Sequence, residues 1–198
     1  MDEGYIKFQC HWEQKGIDII DEVFDELNHY RSELFKLGLI GAYPDGIGFG
    51  NISTRLDNNQ FLISGSATGN LSVLNRSHYA IVNDYNIEAN EVYCMGETKA
   101  SSESMSHAAL YESDANIKAI IHIHNLDLWQ KLKKDYPVTP DDISYGTPEM
   151  AYSIMDVYKQ SELSIKKLLV MLGHKEGIIS FGGNVKEAFK NLVTLYKV

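Results

Sequence analysis

The chain has 198 residues, with 44% hydrophobic and 23% charged residues, which suits an ordinary soluble globular protein of one domain with a substantial core. A formal net charge of −9 argues against sequence-independent nucleic-acid binding, which relies on clustered Lys and Arg, yet a few local donors can still hold an anionic small ligand. No apolar run approaches the ~20 residues of a membrane helix, the acidic opening MDEGYIKFQC lacks a secretory pattern, and Cys10 and Cys94 show no metal spacing, so a cytoplasmic protein without membrane partners is expected.

From Ile17 to Leu37 the apolar residues Ile17, Ile20, Val23, Phe24, Leu27, Tyr30, Leu34 and Leu37 keep helical spacing, and Gly38 or Gly41 stops the helix. DGIGFGNISTRLDNNQFLIS reads as a glycine-rich loop, a strand, a turn at Asp57-Asn58-Asn59 and a second strand. YAIVN and EVYCMG are two further strands. SSESMSHAALYES is expected to be a helix with a Ser as its N-cap, followed by the strand IKAIIHIHN and a short helix in LDLWQKLKKDY. Thr147 and Pro148 form a strong helix start. KKLLVML and GIISFG are strands separated by GHKEG, and Asn184 with Glu187 opens a last amphipathic helix in the manner of a capping box. Without repeats or linkers, residues 1–198 read as a single α/β domain whose sheet is mainly antiparallel with helices packed on it.

Alternation along IKAIIHIHN puts Ala119, Ile121 and Ile123 on one face and Ile120, His122 and His124 on the other. Two histidines at i and i+2 on a strand can converge on one ion, or can be satisfied imidazoles at a strand end; further ligands must decide. Glu103 and His107 stand one helical turn apart, an arrangement that alone is more often a surface pair than a site. His174 lies in a glycine-flanked turn, from which a side chain can be aimed into a cleft. The glycines of DGIGFGN follow a helix and precede a strand, the reverse of a dinucleotide fingerprint. They suit either an anion-binding backbone nest or a tight turn with glycine at positive φ. SATGN is a second small-residue loop, and Ser101 and Ser102 precede a helix whose free N–H groups favour an anion, so the three loops together would suit one phosphate.

In this order, GNISTR, SATGN, SSESMSHAALYE, IIHIHN, YGTPEMA and GIISFGGNVKEA resemble the class II (zinc-dependent) aldolase/adducin head family over roughly residue 17 to the C-terminus. The resemblance implies a three-layer α/β/α fold. It implies Glu103 as the catalytic carboxylate, and His122 and His124 as metal ligands. It also implies Asn51, Thr68, Gly69, Ser101 and Ser102 as the substrate-phosphate site. The cofactor implied is Zn²⁺ or another divalent metal, and the assembly a homotetramer. The activity implied is a lyase that cleaves a small ketose phosphate by a retro-aldol reaction through a zinc-stabilised enediolate. Epimerisation or dehydration on the same metal site is the alternative, as is a non-catalytic adducin-like binding protein.

The family's third zinc histidine stands immediately before the glycine that opens the GIISFG strand, where this chain has Glu176; His174 lies two residues earlier. Either the loop bulges so that His174 binds, or Glu176 supplies a carboxylate oxygen. Neutral imidazole suits Zn²⁺, which favours His174. The SGSATGN loop is slightly longer than is usual in the family, and the opening MDEGYIKFQCHWEQ has no family counterpart. A C-terminal tail with a catalytic tyrosine, present in some aldolases, is expected to be missing. Tyr145 is a candidate proton donor that maps onto no family residue.

Overall fold

A computed structural model describes residues 5–57 and 59–196. Ten strands and six helices follow in chain order: β1 (Gln9–Gln14), α1 (Asp21–Lys36), β2 (Gly41–Ala42), β3 (Gly48–Phe49), β4 (Asn51–Arg55), β5 (Phe61–Ser64), β6 (Tyr79–Asn86), β7 (Glu91–Gly96), α2 (Ser104–Ser113), β8 (Ala119–His124), α3 (Leu126–Leu132), α4 (Pro148–Gln160), α5 (Leu163–Lys166), β9 (Leu168–Val170), β10 (Gly177–Gly182) and α6 (Val185–Tyr196). Eight strands form one sheet in the order β1-β7-β6-β5-β4-β8-β10-β9, and β2 pairs with β3 apart from it. Every pair in the large sheet is antiparallel except β1 with β7.

The alternation of β8 separates two cores. Ala119, Ile121 and Ile123 join the residues of α1 and α6 on one face, while Ile120 joins those of α2 and α4 on the other. Helices on both faces give three layers, as the resemblance implies. The amphipathic α1 buries Leu27 and Leu34 completely and, between them on the same stripe, Arg31. It ends at Gly38, whose φ of 70° lets its N–H bond the Phe35 carbonyl. Thr147 caps α4 through the Met150 N–H with Pro148 at the first helical position, as expected. In α6 the Asn184 side chain accepts from the Glu187 N–H, and the Glu187 carboxylate turns back to the Gly183 N–H rather than to that of Asn184. Asn58, within the expected turn between β4 and β5, lies outside the described residues.

One expectation needs revision. Residue 103, not a serine, stands at the N-cap of α2 and makes no side-chain capping bond there. Its carboxylate is engaged elsewhere, and Ser101 caps the turn by accepting the Glu103 N–H through its hydroxyl. Gln9–Gln14, in the opening where the sequence offered no structural expectation, forms the edge strand β1, and Phe8 before it packs into the core. An edge strand with one mixed face carries little periodicity, so the sequence pattern is silent there.

Candidate active site

The site lies where β8 ends and the antiparallel β4 and β10 begin. Asn51, first in β4, pairs with His122, and Gly177, first in β10, pairs with His124. The loop between β9 and β10 brings in His174. All three histidines are buried, and each offers a ring nitrogen within 4.8 Å of the others. His122 Nε2 and His124 Nε2 are 3.0 Å apart. Burial pushes both rings well below the usual imidazole value, which keeps them neutral, the form that ligates a metal.

Glu103 enters the cluster from the start of α2. Its Oε2 accepts the Ser106 hydroxyl at 2.7 Å, while Oε1 lies 3.2 Å from His174 Nδ1. Burial alone would raise this carboxyl. Against it, attraction from His174 and hydrogen bonding from His174 and the Ser106 hydroxyl outweigh burial and hold the carboxyl down at about 2. Three buried imidazoles beside a buried carboxylate are the donor chemistry of a divalent ion of the Zn²⁺ type. The residues present therefore fit such an ion.

The expected anion-binding loops meet the same carboxylate. Asn51, Thr68, Gly69, Ser101, Ser102 and Glu103 all line a cleft of about 240 Å³, as do residues of the DGIGFGN loop. Gly46 and Gly50 take φ of 86° and 76°, as the tight-turn reading requires, and the loop forms a wall of the cleft. Asp45 accepts the Ile47 N–H, which removes that donor from any nest. Asn51 Oδ1 is buried and, among the described residues, lacks a hydrogen-bond partner. Gly69 has room for no side chain, since a Cβ there would lie 2.3 Å from the Gly41 carbonyl oxygen.

His174, not Glu176, joins the histidine cluster. The two extra residues are absorbed as a bulge in which Glu176 adopts φ 74° and its carboxylate accepts the Tyr43 hydroxyl at 3.0 Å. His107, although on the same helix face as Glu103, turns away and meets Ser53 Oγ through Nδ1 at 2.7 Å. Tyr145 does reach the cluster, with its ring stacked on His174 at 4.4 Å. Sequence reasoning missed Tyr43, Arg31 and Gly177. Arg31 donates to the carbonyls of Leu71, Thr68 and Gly69 and so fixes the second anion loop. An arginine within the apolar stripe of α1, on the same face as Leu27 and Leu34, was the available signal.

Residues 43–198 match the family model described as Class II Aldolase and Adducin N-terminal domain. The chain belongs to that family. Over 80 residues, 39% of this chain, it is 38% identical to the 3-oxo-tetronate 4-phosphate decarboxylase of Haemophilus influenzae. That stretch spans only 34% of the relative's own length. Among solved structures, an L-fuculose 1-phosphate aldolase superposes with a TM-score of 0.67 at 21% identity, covering 90% of this chain and 83% of that one. A sugar-phosphate aldolase from Thermotoga maritima gives 0.66 at 21%, covering 89% and 91%. Likeness at these identities concerns the class II aldolase fold. No helix among the described residues is long and apolar enough to cross a membrane.

Proposed function

We propose that this chain is a metal-dependent lyase that breaks a carbon–carbon bond in a small phosphorylated hydroxy-ketone, with Glu103 as the proton-transferring group. One observation carries the reading: a wholly buried carboxylate reaches the three-histidine cluster on one side and lines the anion-suited cleft on the other. His122, His124 and His174 would hold the ion, with Zn²⁺ favoured by the all-imidazole set. When bound, such an ion polarises a substrate carbonyl and stabilises the negative charge that develops as the bond breaks.

The protein's own residues supply the rest. Backbone donors around Thr68 and Gly69 and the side chains of Asn51, Ser101 and Ser102 would receive the phosphate and orient the sugar chain. The volume of the cleft, about 240 Å³, suits a short sugar phosphate better than a nucleotide. Glu103, held by Ser106, would take or return a proton at the carbon next to the carbonyl. The neighbours that hold its carboxyl down at about 2 leave it ionised but weakly basic, so the role requires His174 to be drawn away from it by a bound ion or substrate. The tyrosine ring stacked on His174 closes one wall against water. The reading takes residues 1–198 as one domain of a cytoplasmic homotetramer, which light scattering of the purified protein would test.

A second reading is favoured by the decarboxylase relative: loss of CO₂ from a 3-oxo sugar-acid phosphate, which leaves the same kind of carbanion as aldol cleavage. Short ketoses and 3-oxo acids, each phosphorylated, separate the two by whether an aldehyde or CO₂ is released. Glu103→Gln is expected to abolish either turnover while the metal content of the protein stays that of the wild type. Unchanged turnover in that variant would remove Glu103 from the reaction.

A further inference from the structure

His124 is tied into a chain of hydrogen bonds that leads away from the cluster. Its Nδ1 lies 2.8 Å from the Tyr43 hydroxyl oxygen, and that hydroxyl lies 3.0 Å from Glu176 Oε2. A carboxylate has no hydrogen to give, so the Tyr43 O–H is donated to Glu176. The Tyr43 oxygen then accepts, and the proton it accepts must be the one on His124 Nδ1. A neutral imidazole with its proton on Nδ1 keeps its lone pair on Nε2, the nitrogen that faces His122 Nε2 at 3.0 Å.

We propose that Glu176 and Tyr43 are positioning residues for the metal: together they fix the tautomer and ring orientation of His124 so that Nε2 is presented to the ion. The proposal rests on the three-histidine metal site proposed above and adds to it a relay outside the ligand set.

The backbone supports the assignment independently. Glu176 is held at φ 74°, a left-handed conformation that is disfavoured for a residue with a Cβ. Glycine would adopt it freely. Strain of this kind persists where the side chain is needed, and here the side chain is what reaches Tyr43. The Glu176 carbonyl also accepts the N–H of Asn125, the residue after His124, so the bulge and the end of β8 are held in register. The ring of Tyr43 packs on Phe49, which in turn stacks on His124 at 5.6 Å, so neither end of the relay is loose.

Two measurements on the full chain decide the matter. The first needs no metal: long-range ¹H–¹⁵N spectra of histidine-labelled protein, with the His124 signals assigned by their loss in His124→Gln. The expected result is the Nδ1–H tautomer in the wild type and a shift toward Nε2–H in Tyr43→Phe. The second is zinc affinity by chelator competition for the wild type, Tyr43→Phe, Glu176→Gly, Glu176→Gln and the Tyr43→Phe/Glu176→Gly pair. Losing such an outer partner weakens metal binding by about 10- to 100-fold. Glu176→Gly should show that loss although it relieves the backbone and leaves the metal-free protein as stable as before. Glu176→Gln keeps an acceptor oxygen and should retain most of the affinity, and the double variant should be no weaker than the worse single one. Wild-type affinity in both Tyr43→Phe and Glu176→Gly would overturn the relay and leave the metal site standing. Absence of zinc binding by the wild type would instead overturn the metal reading, and the tautomer spectra would still decide the relay.

Discussion

Gly177 and His122 are in contact although they are not register partners: a Cβ built on Gly177 would come 3.1 Å from His122 Cε1 and 3.2 Å from His174 Cγ. Two of the three clustered rings therefore pack against a hydrogen. Gly177→Ala is expected to fold, at a cost of about 1–3 kcal/mol for the added methyl. Because the neighbours that must give way are the His174 carbonyl oxygen, 2.9 Å from that Cβ, and the two rings, zinc affinity should fall by an order of magnitude or more. Denaturant titration and chelator competition on the same preparation check both parts. Wild-type affinity in this variant would mean that the rings move aside without leaving their common point.

Arg31 acts at the opposite wall of the cleft. Its guanidinium donates to Thr68 O at 2.8 Å and Gly69 O at 3.3 Å, besides Leu71 O, so it stands in for the water those carbonyls would otherwise bind. Arg31→Met keeps the stem and strips the donors. With three buried carbonyls losing a charged partner, a stability loss of about 2–4 kcal/mol is expected. Zinc content should be unchanged, since the arginine meets only the anion loop. Loss of less than about 0.5 kcal/mol in a urea titration would show that the loop holds its shape without it.

These two residues mark where the sequence could be read and where it could not. The strand IIHIHN, the helix start at Thr147-Pro148 and the small-residue loops carry local signals: period, cap and composition each work within a few residues of chain. From them a mainly antiparallel sheet with helices packed on it and the facing of His122 and His124 followed, whereas the third layer and the place of Glu103 beside the loops came from the resemblance to the family. His174 was the harder case, because choosing it over Glu176 required knowing which way the six-residue loop between β9 and β10 bulges, and that is decided by the strand pairing of Ile178 with Val170 and Ile123. Tyr43 and Arg31 gave little local sign of a role, since their partners lie 81 and 133 residues away in one case and 37 to 40 in the other. The edge strand β1 escaped for a different reason: its parallel partner β7 is distant in sequence and its own residues show no alternation.

His107 yields a prediction about acid. It is wholly buried behind the site, bonded through Nδ1 to Ser53, with Nε2 lacking a hydrogen-bond partner among the described residues. Burial lowers its value from 6.5 to about 4, although the nearby Glu103 carboxylate works in the other direction. In the unfolded chain the imidazole takes up its proton near pH 6.5, whereas in the folded chain it does so only near pH 4. Between those values the unfolded state binds more protons, so the stabilisation is fully present above pH 6.5 and is lost as the pH falls toward 4. The loss from this one group is on the order of 3 kcal/mol. His122 and His124, also pushed down by burial, contribute with the same sign in the metal-free protein. His107→Gln should therefore flatten the dependence without abolishing it, reducing the slope near pH 5 by about 1 kcal/mol per pH unit. Urea titrations of the metal-free protein at several pH values between neutrality and pH 4.5 measure that slope directly. Equal slopes for the wild type and the variant would mean that His107 is protonated inside the fold, and that the Ser53–His107–Tyr111 cluster can accept a charge that its burial argues against.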